Sequence, residues 1–276
     1  MLCGTNMTDI KISNRSAILR LLHEAGAMSR KQIAARLKLT PATITVIINE
    51  LMNESILVEG NSVPNAGAVG RREVMVEISR EKYVALGLAL SQGLVKFTVV
   101  NLHGEIIHEE TFKLPEILTP EYFAETIGRQ IQLKIASYGY SENFIIGIGI
   151  TVCGVVDFAN GIILDSDGIW EEKNVPIVKM FRKQFSFPVI AANNVRSYAN
   201  AYAFLQHDSQ LQNMLFIRNE ATMGVSLILN GQFYGGDRNL AAGIAHFTVV
   251  PNGRKCHCGK RGCGFVPGAH RHKSLV

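Results

Sequence analysis

The chain has 276 residues, of which 47% are hydrophobic and 18% are charged, a composition that indicates a globular protein with a sizeable core. No apolar run approaches the roughly 20 residues needed to span a bilayer, and the N-terminus lacks a signal-peptide pattern. We therefore expect a cytoplasmic protein with no membrane partner. Residues 1–80 carry 10 basic and 7 acidic side chains, an excess that suits either a nucleic-acid-binding module or an ordinary solvated surface.

The first segment has the pattern of a helix-turn-helix. Residues 14–25 repeat apolar side chains at helical spacing, and Gly26 ends this helix. Ser29 followed by Gln32 predicts a capping box at the start of a second helix. The apolar positions of these two helices are Ala17, Ile18, Leu21, Leu22, Ile33, Ala34 and Leu37.

A third helix is predicted from Pro41 to about Asn53, with Thr40 as its N-cap. Two short helices joined by a tight turn, the second exposing small hydroxyl residues at its start, are the layout by which a recognition helix enters the major groove. Three helices of this size can also be a simple packing module. The side chains expected to face bases and phosphates are Thr40, Ala42, Thr43, Thr45 and Val46.

A β-hairpin is predicted after these helices. Residues 56–59 and 74–78 have strand patterns, and the loop between them is rich in Gly, Asn and Pro and ends with Arg71 and Arg72. A hairpin with arginines at its base is a wing, and these arginines can reach phosphates or the minor groove. The hairpin therefore strengthens the prediction of DNA binding.

A second domain is predicted to follow a short linker at residues 79–82. It opens with the pattern of a β-meander. The strand-like runs are 83–90, 95–101, 106–107, 144–150, 162–164 and 189–192. The predicted helices run from Thr119 to Gly139 and from Pro176 to Phe185. The apolar positions expected to pack the longer helix on the sheet are Phe123, Ile127, Ile131, Leu133 and Ile135.

Cys153 follows one of the buried strands. A cysteine in a loop can act as a nucleophile, but no partner base stands out in the sequence. We interpret Cys153 as a packing or loop residue.

A cysteine knuckle lies near the end of the sequence. The pattern Cys-x-Cys-Gly-x-x-Gly-Cys brings Cys256, Cys258 and Cys263 onto one tight turn, where three thiolates can converge on a tetrahedral Zn²⁺. The fourth ligand is either His246 or His257, and His246 ties the knuckle to the rest of the fold. A disulfide or free thiols are the alternatives, although three clustered cysteines leave one unpaired.

The run Gly243-Ile244-Ala245-His246, followed by Pro251-Asn252-Gly253 and the cysteine knuckle, resembles the signature of the ROK family of repressors, open reading frames and sugar kinases. The similarity in the order of elements extends from about Asn14 to Cys263. The resemblance implies a structural zinc, bound by the histidine and the three cysteines, beside a sugar site. It also implies a winged helix, since the ROK repressors have a similar Gly-Arg-Arg ending.

The implied fold class is α/β overall. It combines an N-terminal winged helix-turn-helix domain at residues 1–80 with an actin-like, ribonuclease-H-like ROK sugar-binding domain at residues 81–264, which is incomplete at its C-terminus and holds the zinc knuckle at 246–263. Residues 265–276 resemble nothing in the family, and we expect a disordered tail. We interpret this tail as the result of truncation, with a basic, DNA-binding tail as the alternative.

The parts of a ROK kinase site that transfer phosphate are missing. Residues 89–93 replace the Asp-x-Gly-Gly-Thr loop, and residues 220–226 replace the second glycine-rich loop. Asn194 stands where the kinases have the aspartate that takes a proton from the sugar hydroxyl, and an amide cannot act as that base. We therefore expect no enzymatic activity. A sugar kinase with a DNA-binding head is the alternative.

Part of the family's sugar pocket is present. Asn193 and His246 match its sugar contacts, Asn194 matches in part, and Gly154 ends a loop that resembles Gly-Val-Pro-Gly. The resemblance implies that these four residues bind a carbohydrate effector. Gly243 and Phe265 stand where the family has two glutamates of this pocket, so an altered ligand, or none, is the alternative.

The sequence therefore predicts a DNA-binding transcriptional regulator, a repressor of carbohydrate-utilisation genes. Its partners would be a double-stranded DNA operator and a sugar or sugar-phosphate effector, and full-length relatives are expected to form homodimers or higher oligomers. The alternative is a truncated remnant with a DNA-binding head but no working sensor.

Overall fold

The computed structural model describes residues 6–60, 73–91, 93–116, 118–205, 212–219, 223–236, 246–256 and 259–264. Several predicted features lie outside these ranges, namely Arg71, Arg72, His257, Cys258 and the tail 265–276. In the described ranges, no helix is both long enough and apolar enough to cross a membrane.

The described elements include both helices and strands. The helices are α1 (Met7–Ala25), α2 (Arg30–Leu37), α3 (Pro41–Asn53), α4 (Pro120–Ser137), α5 (Ile177–Phe181) and α6 (Asn194–Leu205), with a 3₁₀ turn at Glu142–Phe144. The strands are β1 (Met28–Ser29), β2 (Leu57–Glu59), β3 (Met75–Ile78), β4 (Val84–Ser91), β5 (Leu94–Asn101), β6 (Ile106–Lys113), β7 (Ile145–Val152), β8 (Val155–Asp157), β9 (Ile162–Asp165), β10 (Val189–Asn193), β11 (Met214–Asn219), β12 (Met223–Leu229) and β13 (Gln232–Phe233).

The described strands form one five-stranded sheet and three smaller sheets. The first sheet has the order β1-β3-β2, the five-stranded sheet has the order β10-β7-β4-β5-β6, and the remaining sheets are β11-β12-β13 and β8-β9. Strands β7 and β10 run parallel, with Val152 opposite Asn193. Their carboxyl ends therefore meet at one edge of the sheet, which is where ligands bind in many α/β folds.

The chain divides into two compact units, which are described separately. The first unit contains Met1–Leu86, Thr98–Glu109 and Ser141–Ile146. The second unit contains Gly87–Phe97, Glu110–Tyr140 and Gly147–Val276.

In the first unit, α1 begins at Met7, seven residues before the start that the apolar periodicity predicts. The reason is a capping box that the sequence analysis missed. The Asn6 side chain accepts a hydrogen bond from the Asp9 amide at 2.9 Å, and the Asp9 carboxylate accepts one from the Asn6 amide at 3.3 Å. These bonds satisfy amides at the helix start, so the polar first two turns of α1 are helical.

The predicted starts of α2 and α3 are confirmed. Ser29 and Gln32 form the reciprocal capping box, and the Thr40 hydroxyl accepts a hydrogen bond from the Thr43 amide at 3.2 Å. Lys38 has a left-handed conformation (φ 54°), which turns the chain sharply between the two helices. We call the helices α1, α2 and α3 together with the sheet β1-β3-β2 the head. Its core consists of aliphatic side chains that include Ile18, Leu22, Ile33, Ile44, Ile48, Leu51, Leu57 and Val76.

The C-terminal end of α3 is anchored to other parts of the first unit. The Tyr83 hydroxyl donates to the Glu54 carbonyl at 3.0 Å, and the Lys82 ammonium donates to the Ser55 hydroxyl at 2.9 Å. Tyr83 also packs edge-on against Phe144, with ring centroids 5.7 Å apart, and the Lys82 ammonium lies 4.7 Å from the centre of the same ring. These contacts fix the position of the recognition-helix end within this unit.

In the second unit, α4 packs through one aromatic and aliphatic face. Thr119 caps the helix as predicted, and Phe123 is fully buried between Trp170 and Phe181, with ring centroids 5.7 and 5.9 Å away. Leu133 was expected on this face but is 63% exposed. It is two residues from both Ile131 and Ile135, and such a step of about 200° places a side chain on the opposite side of a helix.

The predicted helix 176–185 is shorter in the structure, where α5 ends at Phe181. The chain continues as a turn in which the Phe185 amide donates to the Phe181 carbonyl at 3.2 Å, and the Phe185 ring stacks on Phe187 with a centroid separation of 4.9 Å.

Replacing Phe123 with Ala removes a fully buried ring from the core of the second unit. We expect this change to lower the free energy of unfolding by about 3–5 kcal/mol, because it leaves a cavity that its neighbours fill only in part. Leu133→Ala on the same helix is the matched control, and its effect should stay within about 0.5 kcal/mol. Urea denaturation of both variants measures the difference, and equal effects would contradict the packing described here.

Candidate functional site

The outer face of α3 carries most of the side chains predicted to meet DNA. Thr40, Ala42, Thr45 and Val46 are exposed, and Thr43 is half-buried. Val46 is 57% exposed, so its side chain is accessible from the outer face of α3. The structure thus brings the five predicted residues together on the first two turns of one helix.

The threonine hydroxyls on this helix already take part in local hydrogen bonds. The hydroxyls of Thr40 and Thr43 lie 2.8 Å apart and bond to each other, and the Thr45 hydroxyl donates to the Pro41 carbonyl at 2.8 Å. Thr40 acts as the N-cap of α3. These hydroxyls therefore stabilise the start of the helix.

Ion pairs between α1 and α3 neutralise the carboxylates of α3. Lys11 donates to Glu50 at 2.7 Å, and Arg15 bonds both carboxylate oxygens of Glu54. The hydrogen bond from Lys11 is the largest cause that lowers the pKa of Glu50 below its ordinary value, and the charges of Lys11 and Arg15 act in the same direction. Sequence analysis missed these pairs, because 39 residues separate the partners in the chain.

The predicted hairpin after α3 is confirmed. Strands β2 and β3 pair antiparallel, with Leu57 opposite Ile78 and Glu59 opposite Val76. Arg71 and Arg72 lie in the connecting loop, outside the described residues, so their role in DNA binding stays a prediction.

Two of the predicted effector residues meet at the carboxyl ends of β7 and β10. The Asn193 amide nitrogen donates to the Gly154 carbonyl at 2.8 Å, and its oxygen accepts from the amides of Val195 and Arg196. Asn194 is the first residue of α6, and its side-chain oxygen accepts from the Val195 amide at 2.8 Å. The side chain of Asn193 thus joins the loop after β7 to the start of α6.

Gly154 occupies a position that no side chain fits. Its φ of 119° is in the region that favours glycine, and an added Cβ would lie 2.1 Å from the Asp165 carbonyl oxygen. The neighbouring Cys153 thiol donates to the Asp167 carboxylate at 3.4 Å. This contact gives Cys153 a local partner in the loop, in line with its interpretation as a loop residue.

Sequence analysis did not single out Arg196, which lies in the first turn of α6. Its guanidinium carbon lies 4.2 Å from the centre of the Phe158 ring and 4.8 Å from that of Phe233. Burial lowers the pKa of Arg196 from its usual value. The cation therefore contacts a ring of β13 and a ring of the turn between β8 and β9.

Three of the predicted metal ligands converge. The side-chain ligand atoms of His246, Cys256 and Cys263 all lie within 4.8 Å of one another, and the Cys256 sulfur is 3.4 Å from Nδ1 of His246. Bonds of about 2.0 Å to nitrogen and 2.3 Å to sulfur in a tetrahedral zinc site place the ligand atoms roughly 3.5–3.8 Å apart. Cys256 and Cys263 are buried, and no disulfide joins them. Cys258 lies outside the described residues.

The backbone around these cysteines is folded tightly enough to hold the ligands in place. The Cys256 amide donates to the Lys260 carbonyl at 2.8 Å, and the Gly262 amide donates to the Arg254 carbonyl at 2.9 Å. Gly262 has a φ of 71°, and an added Cβ would lie 1.6 Å from the Val250 carbonyl oxygen. The donor set, the burial and the turn together fit a structural metal site.

Comparisons with known proteins agree with this geometry. The model of the "ROK family" matches residues 86–264, which is more than half of the chain, and a "winged helix-turn-helix DNA-binding" model matches residues 13–58. The chain is 28% identical over 258 residues to the DNA-binding transcriptional dual regulator NagC of Escherichia coli (strain K12), covering 94% of this chain and 63% of NagC. It is 24% identical over 258 residues to the xylose repressor of Bacillus subtilis (strain 168), covering 94% of this chain and 66% of that repressor.

Solved structures show the same fold. A ROK family transcriptional regulator, described as a homologue of the E. coli MLC protein, has a TM-score of 0.74 at 24% identity, covering 92% of this chain and 63% of that one. A ROK family glucokinase from Streptomyces griseus has a TM-score of 0.52 at 22% identity, covering 65% of this chain and 55% of the kinase. The predicted fold class, a winged helix-turn-helix followed by an actin-like ROK domain, is confirmed. The chain spans less than two thirds of the length of NagC and of the solved regulator.

The pairing of Glu50 predicts a pH-dependent stability of the head. Because the pKa of Glu50 is lowered from 4.5 by folding, its ionised form stabilises the protein above that pH, and this contribution is lost as the pH falls through the lowered pKa. We expect Glu50→Gln to lower the Tm at pH 7, and the difference from the wild type to shrink as the pH falls below about 4.5. Thermal unfolding between pH 3 and pH 7 measures this effect.

Glu24→Gln, a change of an exposed carboxylate on α1, is the control and should leave the Tm close to the wild-type value at every pH. A Glu50→Gln difference that stays constant down to pH 3 would contradict the assignment.

Proposed function

Because this chain belongs to the ROK family and begins with a winged helix-turn-helix head, we propose that it is a DNA-binding transcriptional regulator that represses carbohydrate-utilisation genes. The observation that carries the proposal is the capped helix α3, whose outer face presents Ala42, Thr45 and Val46 to solvent on a well-packed head. A helix of this kind reads the major groove of a double-stranded DNA operator. Because the operator is part of the chromosomal DNA, we propose that the protein acts in the cytoplasm.

We assign residues 1–80 to the DNA-binding domain and residues 81–264 to a domain that senses an effector. Arg71 and Arg72 of the wing supply phosphate or minor-groove contacts beside α3. Relatives named as N-acetylglucosamine repressor and xylose repressor support a carbohydrate as the effector class. Regulation then requires two states of a dimer that space the two DNA heads differently, with the effector favouring one of them.

We assign the effector contacts to Gly154, Asn193, Asn194 and His246. The support is the edge formed by β7 and β10, where the Asn193 amide holds the loop at Gly154 against the start of α6. Asn194 keeps an amide that can hydrogen-bond a sugar hydroxyl but cannot remove its proton. The same residue argues against sugar phosphorylation, so we propose a regulator without kinase activity even though ROK kinases share the fold.

We propose that His246, Cys256, Cys258 and Cys263 bind one structural Zn²⁺. Zinc bound by one imidazole and three thiolates stabilises the surrounding fold and supplies no open coordination position. The convergence of His246, Cys256 and Cys263, with both described cysteines buried, supports the assignment. The bound metal holds the segment from His246 to Cys263 in one conformation.

A mobility-shift assay tests the regulator proposal. The zinc-loaded protein is mixed with its own promoter, with and without a panel of sugars and sugar phosphates. We expect specific binding in competition with random DNA, released by one compound of the panel. Equal binding to all DNA sequences would contradict operator recognition by the head. Binding that no compound alters would contradict effector sensing by the second domain. Protection of the protein by ATP in thermal unfolding would favour the kinase instead.

Replacing Arg71 and Arg72 with Ala tests the wing. If both arginines contact phosphates, the double variant should bind every DNA sequence more weakly, and the slope of log K against log salt should become shallower by about 2. Arg182→Ala, an exposed arginine after α5, is the matched control and should leave this slope unchanged. Fluorescence anisotropy at several salt concentrations measures the slope, and equal slopes for the wild type and the wing variant would argue against these contacts.

Metal analysis by mass spectrometry tests the zinc site. We expect one zinc per chain in the wild type, and loss of that zinc in Cys256→Ser and Cys263→Ser, because a serine hydroxyl is a poor ligand in place of a thiolate. Cys153→Ser is the matched control and should keep its zinc. A chelator should lower the Tm of the wild type but not that of the two ligand variants. Full zinc content in Cys263→Ser would refute the assignment.

A further inference from the structure

The outermost line of α3 extends beyond the residues singled out from the sequence. Ala42, Val46, Asn49 and Asn53 follow one another at steps of four, three and four residues, so they form a single stripe along the helix. All four are exposed, and the stripe lies opposite the buried side chains Ile44, Ile47, Ile48 and Leu51. A molecule that binds the outer face of α3 therefore contacts this stripe.

Asn49 carries a side-chain amide that is available for a hydrogen bond to DNA from this stripe. The hydroxyls of Thr40, Thr43 and Thr45 bond within the first turns of α3, as described above. In the part of the chain that the structure describes, the side-chain amide of Asn49 makes no hydrogen bond. The next residue, Glu50, is turned toward Lys11 on α1, so no unpaired carboxylate stands beside Asn49 to repel the DNA.

Asn49 also has chemistry suited to one base. A carboxamide carries a donor and an acceptor side by side, and this pair matches N7 and the N6 amino group of adenine in the major groove. Val46, one turn earlier, offers an apolar surface that matches the methyl group of thymine. The major groove is about 12 Å wide and admits an α-helix, and Asn49 lies about two turns, roughly 10 Å, along the axis of α3 from Ala42.

We propose that Asn49 is a specificity-determining residue that reads an adenine in each half-site of the operator, with Val46 against the methyl group of a neighbouring thymine. The proposal rests on the proposed function as a DNA-binding regulator. Asn53 carries the same amide on the same stripe but is the last residue of α3, one turn further from the end of the helix that enters the groove. It therefore serves as the matched comparison.

The experiment starts with selection of binding sites from random double-stranded DNA by the full chain. Failure to enrich any sequence would overturn the proposed function and this inference with it. If a site is enriched, selection is repeated with Asn49→Ala and Asn53→Ala. We expect an adenine at one fixed position of each wild-type half-site, loss of that preference in Asn49→Ala, and binding to the wild-type site that is about 5- to 150-fold weaker. Asn53→Ala should keep the preference.

Base analogues then locate the contact. The adenine in question is replaced by purine, which lacks the N6 amino group, or by 7-deazaadenine, which lacks N7. Each analogue should weaken binding of the wild type and of Asn53→Ala, and should leave binding of Asn49→Ala unchanged. An adenine preference that survives in Asn49→Ala, or analogues that weaken both proteins equally, would overturn the inference while leaving the regulator function intact. Thermal unfolding confirms that each variant is folded.

Discussion

Burial of the inner face of α3 fixes which of its side chains can meet DNA. Ile44, Ile48 and Leu51 are fully excluded from solvent, so the rotation of the helix about its own axis is set by the core of the head. The outer stripe follows from that rotation. The ion pairs from α1 add a second restraint, because they hold the carboxylates of Glu50 and Glu54 to one side of this stripe.

The head is also joined to structure that lies later in the chain. Tyr83 and Lys82 bind the end of α3, and the His103 ring donates to the Ile78 carbonyl at 3.0 Å at the end of the wing strand β3. Leu102 packs on the core of the head. His103, Leu102 and Phe144 belong to the part of the chain that matches the ROK family, so the family domain supplies part of the support for the DNA-binding head.

Features governed by local rules could be predicted from the sequence, and features governed by distant contacts could not. The capping box at Ser29, the cap at Thr40 and the turns around the metal ligands each depend on residues within a few positions, and these predictions agree with the structure. The exposure of Leu133 is also a local feature, because its step of about 200° from Ile131 and Ile135 follows from the helical repeat. The contacts of the Arg196 guanidinium with the Phe158 and Phe233 rings require three separate segments to be in place first.

The three hydrogen bonds of Asn193 have a consequence for which residues this position can accept. Its nitrogen must donate to the Gly154 carbonyl while its oxygen accepts two amide hydrogens at the start of α6. An aspartate has nearly the same shape but no donor, so it would place a negative oxygen 2.8 Å from the Gly154 carbonyl oxygen. This position therefore accepts asparagine but not aspartate. A carboxylate here would repel the Gly154 carbonyl and push the loop after β7 away from α6.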